Sequence, residues 1–360
     1  MLNESASRTT DTPAQIRIAW QQLRESEPGL RARDLAERLS ISEGELVASR
    51  CGESITRLEG PFANLIHALP TLGRVMVLTR NNSCVHEKKG SFSKIELGAV
   101  MGVVLDEAID LRLFLNHWKH GFAVLEESRG RLLQSLQFFD GDGGAVHKVY
   151  LTQDSDMDAW HRLVERFTAA TQTPLLELLA VAEPLPHVLN DDKVDVESLR
   201  NGWRSMRDPH DFFALLRKQQ LTRTQALRLV GSEFARPVEN SSVHTVLESA
   251  ATSGLPIMVF VGSPGVVQIH TGPVHNIKSM GPWLNVLDED FNLHLREDHI
   301  SESWVVQKPT PEGPVTSLEI YDAKGGQIVQ LFGKRKPGAP ELSEWRALAA
   351  TLPAMESIHA

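Results

Sequence analysis

The chain has 360 residues, 41% of them hydrophobic and 23% charged, which is enough apolar material for more than one core and excludes a disordered or collagen-like chain. With 37 Lys plus Arg against 46 Asp plus Glu the net charge is −9, so no global field attracts nucleic acid or an anionic membrane. No run of about 18 uncharged apolar residues occurs, the opening MLNESASRTTDTPAQ lacks a signal-peptide pattern, and Cys51 and Cys84 fit neither a metal nor a disulfide spacing; a cytoplasmic location without membrane insertion is expected.

In chain order, residues 34–49 predict a helix, a break and a second helix opened by a capping box of Ser42 with Glu45. Strand patterns follow at 74–80, 84–88, 109–115, 122–128, 135–140 and 147–153, with DGDGG as a hairpin turn, and an amphipathic helix over 156–169. A proline-bearing connection spans 171–195. The same series then returns: a helix pair over 213–230 with the box Thr222 and Gln225, strands at 256–262, 266–272, 291–297, 303–309, 317–322 and 327–333 around the turn DAKGG, and a helix over 341–352.

This return is an internal repeat. Shifting the chain by 182 positions lays 76–150 on 258–332 without a gap, and 18 of those 75 pairs are identical, among them Val104-Leu105-Asp106-Glu107 on Val286-Leu287-Asp288-Glu289. The expected organisation is an N-terminal repeat over 1–175, a helical opening plus antiparallel sheet, and a C-terminal repeat over 195–360. Short links and frequent turns predict antiparallel meanders within each copy. The helix pair at 34–49 has the outline of a helix-turn-helix and leaves DNA binding open as a remote possibility, against the acidic net charge.

No HExxH, CxxC, GxSxG, P-loop or GxGxxG motif is present, which removes the common zinc, hydrolase and nucleotide chemistries. One histidine is better placed than the rest. In Met206-Arg207-Asp208-Pro209-His210-Asp211-Phe212-Phe213, Asp208 suits an N-cap and Pro209 the first helical position, which sets His210 in the first turn, where the helix end disfavours protonation. A neutral imidazole beside two phenylalanines is what a proximal haem ligand requires. An ordinary N-terminal histidine over a core face fits the same residues, so both readings stand at this point.

The duplication, together with ARDLAERLSISEGELVASR, LTRNNSCVHEKKG, IDLRLFLNHW, SLQFFDGDGGAVHKVY, DPHDFFALLR, LTRTQAL and SWVVQKPTPEGPVTSLEIYDAKGGQIVQLFGKR, resembles the cytoplasmic haem-utilisation family of Gram-negative bacteria, the HemS/ChuS/PhuS-like haemin-degrading factors. The resemblance implies an α+β fold, a tandem duplication of an antiparallel-sheet domain with flanking helices, with haem b (iron protoporphyrin IX) held between the halves. It implies His210 as the proximal iron ligand and Arg112 as the distal, catalytic arginine, with Phe114 close by. Arg223, Lys308, Gln330 and Arg335 match residues at the propionate end, and Phe260 and Phe332 complete the cofactor-binding set. Phe332 stands where some relatives carry tyrosine, and Asp211 and Phe212 stand where some carry extra histidines, so ligand switching is not implied. Under the 182 shift Arg112 lies opposite His294 and Lys308 opposite Glu126, which predicts one haem per chain. The expected function is a carrier that sequesters imported haem and passes it to a haem oxygenase or other acceptor; a haem-degrading monooxygenase is the alternative, and haem-responsive DNA binding a distant third.

Overall fold

The computed structural model describes residues 12–99, 101–128, 130–179, 188–335 and 338–355; part of the predicted 171–195 connection, and most of the N-terminal segment read for a signal peptide, lie outside them. Among these residues the first repeat contributes nine strands, β1 (Ile55–Leu58), β2 (Gly73–Arg80), β3 (Cys84–Ser91), β4 (Ile95–Leu97), β5 (Met101–Leu105), β6 (Asp110–Phe114), β7 (His120–Ser128), β8 (Arg131–Phe139) and β9 (Ala145–Ser155). The second contributes nine more, β10 (Ala235–Val238), β11 (Ile257–Gly262), β12 (Val266–Gly272), β13 (Ile277–Met280), β14 (Trp283–Leu287), β15 (Phe291–Arg296), β16 (Glu302–Lys308), β17 (Val315–Tyr321) and β18 (Gln327–Gly333). The helices are α1 (Pro13–Ser26), α2 (Ala32–Arg38), α3 (Glu43–Ala48), α4 (Phe62–Ala68), α5 (Met157–Phe167), α6 (Val196–Arg204), α7 (Asp211–Gln219), α8 (Arg223–Val230), α9 (Ser242–Ser253) and α10 (Ser343–Thr351). The fold is α+β with two antiparallel sheets.

The strand orders are β1-β7-β8-β9-β2-β3-β15-β14-β13 and β10-β16-β17-β18-β11-β12-β6-β5-β4. Substituting each strand by its repeat counterpart turns one order into the other. Each sheet therefore takes six strands from one repeat and three from the other, an exchange that the expectation of antiparallel meanders did not include: β3 pairs with β15 through His86↔Leu293, and β6 with β12 through Arg112↔Val267. Local turn signals do not encode which copy of an edge strand a ribbon will join, because both copies offer the same edge.

Two compact units result, the described residues of 1–76, 97–102 and 114–181, and those of 77–96, 103–113 and 182–360. In the first, α1 packs Ile16 against Leu35 and Leu46, and α5 buries Trp160, Leu163 and Phe167. The predicted capping box forms: Ser42 Oγ accepts from the Glu45 amide while the Glu45 carboxylate accepts from the Ser42 amide. Helix α3 buries Glu43, Gly44, Leu46, Val47 and Ala48. A recognition helix must present its side chains to a groove, and α3 spends them on packing, so the helix-turn-helix outline is a structural element here. Gly143, in the predicted DGDGG turn, has φ +78°, and a Cβ there would lie 2.1 Å from Ser42 Oγ, so both backbone and space require glycine.

In the second unit, Val259, Val261, Leu318, Ile320, Val329 and Leu331 form a core with Val246 and Leu247 of α9 and Trp345 of α10. The opposite sheet face is covered at one end by α6, α7 and α8, where Trp203, Phe212 and Leu227 meet Trp304, Val306 and Tyr321. On β3 and β12, residues 182 positions apart touch each other: Lys88 Nζ donates to His270 Nδ1 at 2.8 Å, and Gln268 Nε2 lies 2.8 Å from His86 Nδ1. The second His270 nitrogen donates to the Pro273 carbonyl at 3.2 Å, so this ring is neutral with its lone pair on Nδ1.

Burial, reinforced by the Lys88 charge, pulls His270 down to about 3, and burial alone does the same to His147. A histidine whose folded pKa is depressed holds its full stabilisation above its unfolded pKa of about 6.5 and loses it as pH falls from there toward the folded value. Unfolding free energy measured with urea should therefore decline between pH 6.5 and 5, by about 2 kcal/mol for each of these two histidines. His270→Gln, which keeps an acceptor for Lys88 and takes up no proton, should remove its share and leave a shallower decline. A curve that is flat or rising over this window contradicts the assignment.

Candidate functional site

His210 begins the site. Helix α7 starts at Asp211 with His210 as its N-cap, later than the sequence pattern places the cap, because Asp211 turns back on the loop: its Oδ2 accepts from the amides of Arg207 and Asp208 at 3.0 Å each. Asp208 is thereby free to serve His210. Its Oδ1 accepts from the His210 amide at 2.8 Å and pairs with the ring Nδ1 at 2.5 Å. These amide and ring contacts, with the Arg335 charge nearby, hold the Asp208 carboxyl below its usual range. The His210 side chain is 87% exposed, and Phe213, a turn away, is 54% exposed.

Another residue of the DPHDFF segment points inward. Phe212 is buried, with its ring edge-on to Trp203 at 4.9 Å, and two cations sit over it, Lys308 Nζ at 4.8 Å and the Arg223 guanidinium at 5.4 Å; Arg223 also lies 5.1 Å from Phe213. Both cations converge on Glu319, which is wholly buried: Lys308 Nζ donates to Oε1 at 2.6 Å and Arg223 Nη1 to Oε2 at 3.4 Å. Ser317 Oγ donates to Oε1 at 2.9 Å, and the Tyr321 hydroxyl donates to Oε2. Burial raises the Tyr321 pKa further, so the phenol stays neutral. Burial alone would raise Glu319 as well, but Lys308 and Arg223 outweigh it and hold this carboxylate well below its ordinary value. Two cations against one carboxylate leave the cluster with one positive charge in excess.

The sheet carries the remaining candidates. Side chains alternate along a strand and paired residues share a face, so the register traces one face through Asp110↔Ile269, Ile269↔Phe260, Phe260↔Gln330, Gln330↔Glu319 and Glu319↔Trp304. Arg112 and Phe114 follow Asp110 at two-residue steps, Phe332 follows Gln330, and Lys308 lies further along the same alternation from Trp304. All six candidates borne by strands thus lie on the face whose other end α7 and α8 cover. Phe260 and Phe332 meet edge to face at 5.0 Å. Arg112 is half-buried, with Nη1 donating to the Asp110 carboxylate and to the Leu111 carbonyl at 3.2 Å. Arg335 lies on the segment after β18, close enough for its charge to act on Asp208.

Three participants escape the sequence reading: Asp208 as the partner of the histidine ring, Glu319 and Tyr321. A signal for the last two exists, since Ser317, Glu319 and Tyr321 recur at period two along β17, alternating with Leu318 and Ile320, which marks one polar face. The Asp208 contact depends on a turn that residue preferences alone do not specify.

The donor set fits haem. An exposed imidazole whose Nδ1 is engaged by a carboxylate can offer Nε2 to a metal, the exposed Phe213 follows on the same segment, and a cluster of two cations on one carboxylate is compatible with further anionic groups.

Comparison with known proteins agrees. The model of the haemin-degrading HemS.ChuX domain matches twice, at residues 40–167 and 220–352. The chain is 43% identical over 333 residues to the hemin transport protein HmuS of Yersinia pestis, covering 92% of this chain and 95% of the relative. It is similar to the crystal structure of holo-PhuS, a heme-binding protein from Pseudomonas aeruginosa, with a TM-score of 0.93, 50% identity and coverage of 96% of this chain and 100% of that one. Similarity to ChuS, described as an E. coli heme oxygenase, gives a TM-score of 0.85 and 40% identity over 94% of this chain and 99% of that one. With its two matched domains and its 43% identity along nearly the whole length, this chain belongs to the HemS/ChuX family of haemin-degrading domains.

Proposed function

We propose that this protein binds one haem b per chain with His210 as the axial ligand, and that it is a cytoplasmic carrier that takes up imported haem and yields it to a haem oxygenase or another acceptor. The observation that carries the proposal is the His210 imidazole itself, exposed, fixed through Nδ1 and set beside Phe213 on the segment that also closes the Lys308, Arg223 and Glu319 cluster. Related chains described as a hemin transport protein and a heme-binding protein support it. Haem supplies the iron, the broad apolar ring and, with oxygen and a reductant, the oxidising chemistry. The chain supplies the rest: His210 donates a lone pair, Phe260 and Phe332 offer apolar surface, and Arg223, Lys308 and Arg335 offer charge to the propionates, with Gln330 beside them. A single site is favoured because the repeat counterparts of Gln330 and Glu319 are Lys148, which ion-pairs with the buried Glu43, and Gln137. Among the described residues no helix is long and apolar enough to cross a membrane.

A second reading, oxidative haem degradation, is favoured by Arg112, whose N–H donors lie on the same sheet face as Phe260, Gln330 and Phe332, and by the likeness to ChuS. In that reading the Arg112 N–H donors would hold and orient a polar ligand of the bound haem.

His210→Ala should abolish the wild-type ferric absorption spectrum or weaken haem binding strongly, as read by titration; an unchanged spectrum and affinity would falsify the ligand assignment. Haem dimethyl ester should bind more weakly than haem, since each charge-assisted hydrogen bond that the ester cannot make is worth about 1.5 to 3 kcal/mol where it is partly desolvated. Equal binding of ester and acid would mean that the cations serve only Glu319 and the fold. Arg112→Ala should retain most haem affinity while any bleaching of the Soret band under oxygen and ascorbate, with catalase present, collapses. Wild-type protein that shows no such bleaching, yet delivers haem to an added oxygenase faster than haem dissociates into water, is the carrier alone.

A further inference from the structure

The contact between Asp208 and His210 is made by two exposed side chains. With His210 87% and Asp208 61% exposed, their pairing adds little to the stability of the fold, because water competes for both partners. It nevertheless determines which ring nitrogen holds the proton. A carboxylate only accepts hydrogen bonds, and a neutral imidazole carries hydrogen on one nitrogen and a lone pair on the other. Since Oδ1 of Asp208 lies against Nδ1, the neutral ring is held with its hydrogen on Nδ1 and its lone pair on Nε2, at the opposite edge. The same oxygen accepts from the His210 amide, so the carboxylate is anchored to the backbone of the residue it orients. Asp211 takes over the capping of the loop through the amides of Arg207 and Asp208, and this releases Asp208 from that task.

Resting on the reading of His210 as the haem ligand, we infer that Asp208 is a positioning residue for it: it fixes the Nδ1–H tautomer and ring orientation before haem arrives and, once iron is bound, strengthens the imidazole as a donor. Partners beyond the first coordination sphere act in this way on metal-bound histidines, and their removal weakens metal affinity about 10- to 100-fold. A stronger donor also stabilises the more oxidised iron, so Asp208 sets how readily bound haem is reduced. It thereby bears on whether the site stores haem or reacts with it.

Asp208→Asn is the informative variant, because its amide oxygen still accepts from the His210 backbone while the negative charge is gone. In the haem-free full chain, nitrogen NMR of the histidine ring should show the Nδ1–H form dominant in the wild type and its share reduced in Asp208→Asn. In the haem-loaded chain the variant should bind haem about 10- to 100-fold more weakly, its ferrous iron–histidine stretching band in resonance Raman should move to lower wavenumber, and its reduction potential should rise. If band, potential and affinity all match the wild type while His210→Ala loses the axial ligand, the inference is overturned and the ligand assignment stands. If His210→Ala keeps the wild-type axial spectrum, both are overturned.

Discussion

The pairing of β6 with β12 is the constraint on which the rest of this structure depends. It hydrogen-bonds a strand of the first repeat to a sheet built by the second, and in doing so places Arg112, through its register partner Val267, on the face that also carries Phe260, Gln330, Phe332 and Lys308. A repeat folded upon itself would keep Arg112 with its own β3. Because side chains change face at each residue, a slip of one position in this ladder would turn Arg112 and Phe114 away and bring Leu111 and Leu113 up instead. Those two leucines are buried, and their burial holds the register.

On that face the energetics divide sharply. One side of the sheet is a conventional apolar core under α9 and α10. The other begins as a core, where α6, α7 and α8 pack on Trp304, Val306 and Tyr321, and becomes half-buried toward Phe260 and Arg112. The transition is marked by Glu319. A buried carboxylate with no partner would be costly, and so would two buried cations; held together by Lys308, Arg223, Ser317 and Tyr321, the group is satisfied and retains one positive charge. Phe212 lies under both cations and follows His210 by two residues, so the segment that presents the imidazole is tied to the charge cluster by direct contact.

Much of this was legible in the sequence, and what was missed has definite physical causes. The duplication, both capping boxes, the Asp-Gly-Gly turns and the helices around Trp160 and Trp345 all follow from local rules, and Asp140 and Asp322 accept from their turn amides as those rules require. The strand exchange escaped because it is a choice between two equivalent edges. The α7 cap escaped because Asp208 and Asp211 are equally good capping residues, and only the folded loop decides which of them takes the amides and which the histidine. Glu319 was hidden by its neighbours: in Ser317-Leu318-Glu319-Ile320-Tyr321 a single acidic residue reads as solvated unless its cation partners, here distant in sequence, are known.

The most direct test is the crystal structure of the full chain loaded with haem. Iron should be bound by His210 Nε2, with Asp208 still on Nδ1, and the ring should rest against the face that carries Phe260, Phe332 and Arg112. Iron bound by a different residue, or a ring seated away from that face, would contradict the assignment of His210 and of this sheet face to haem.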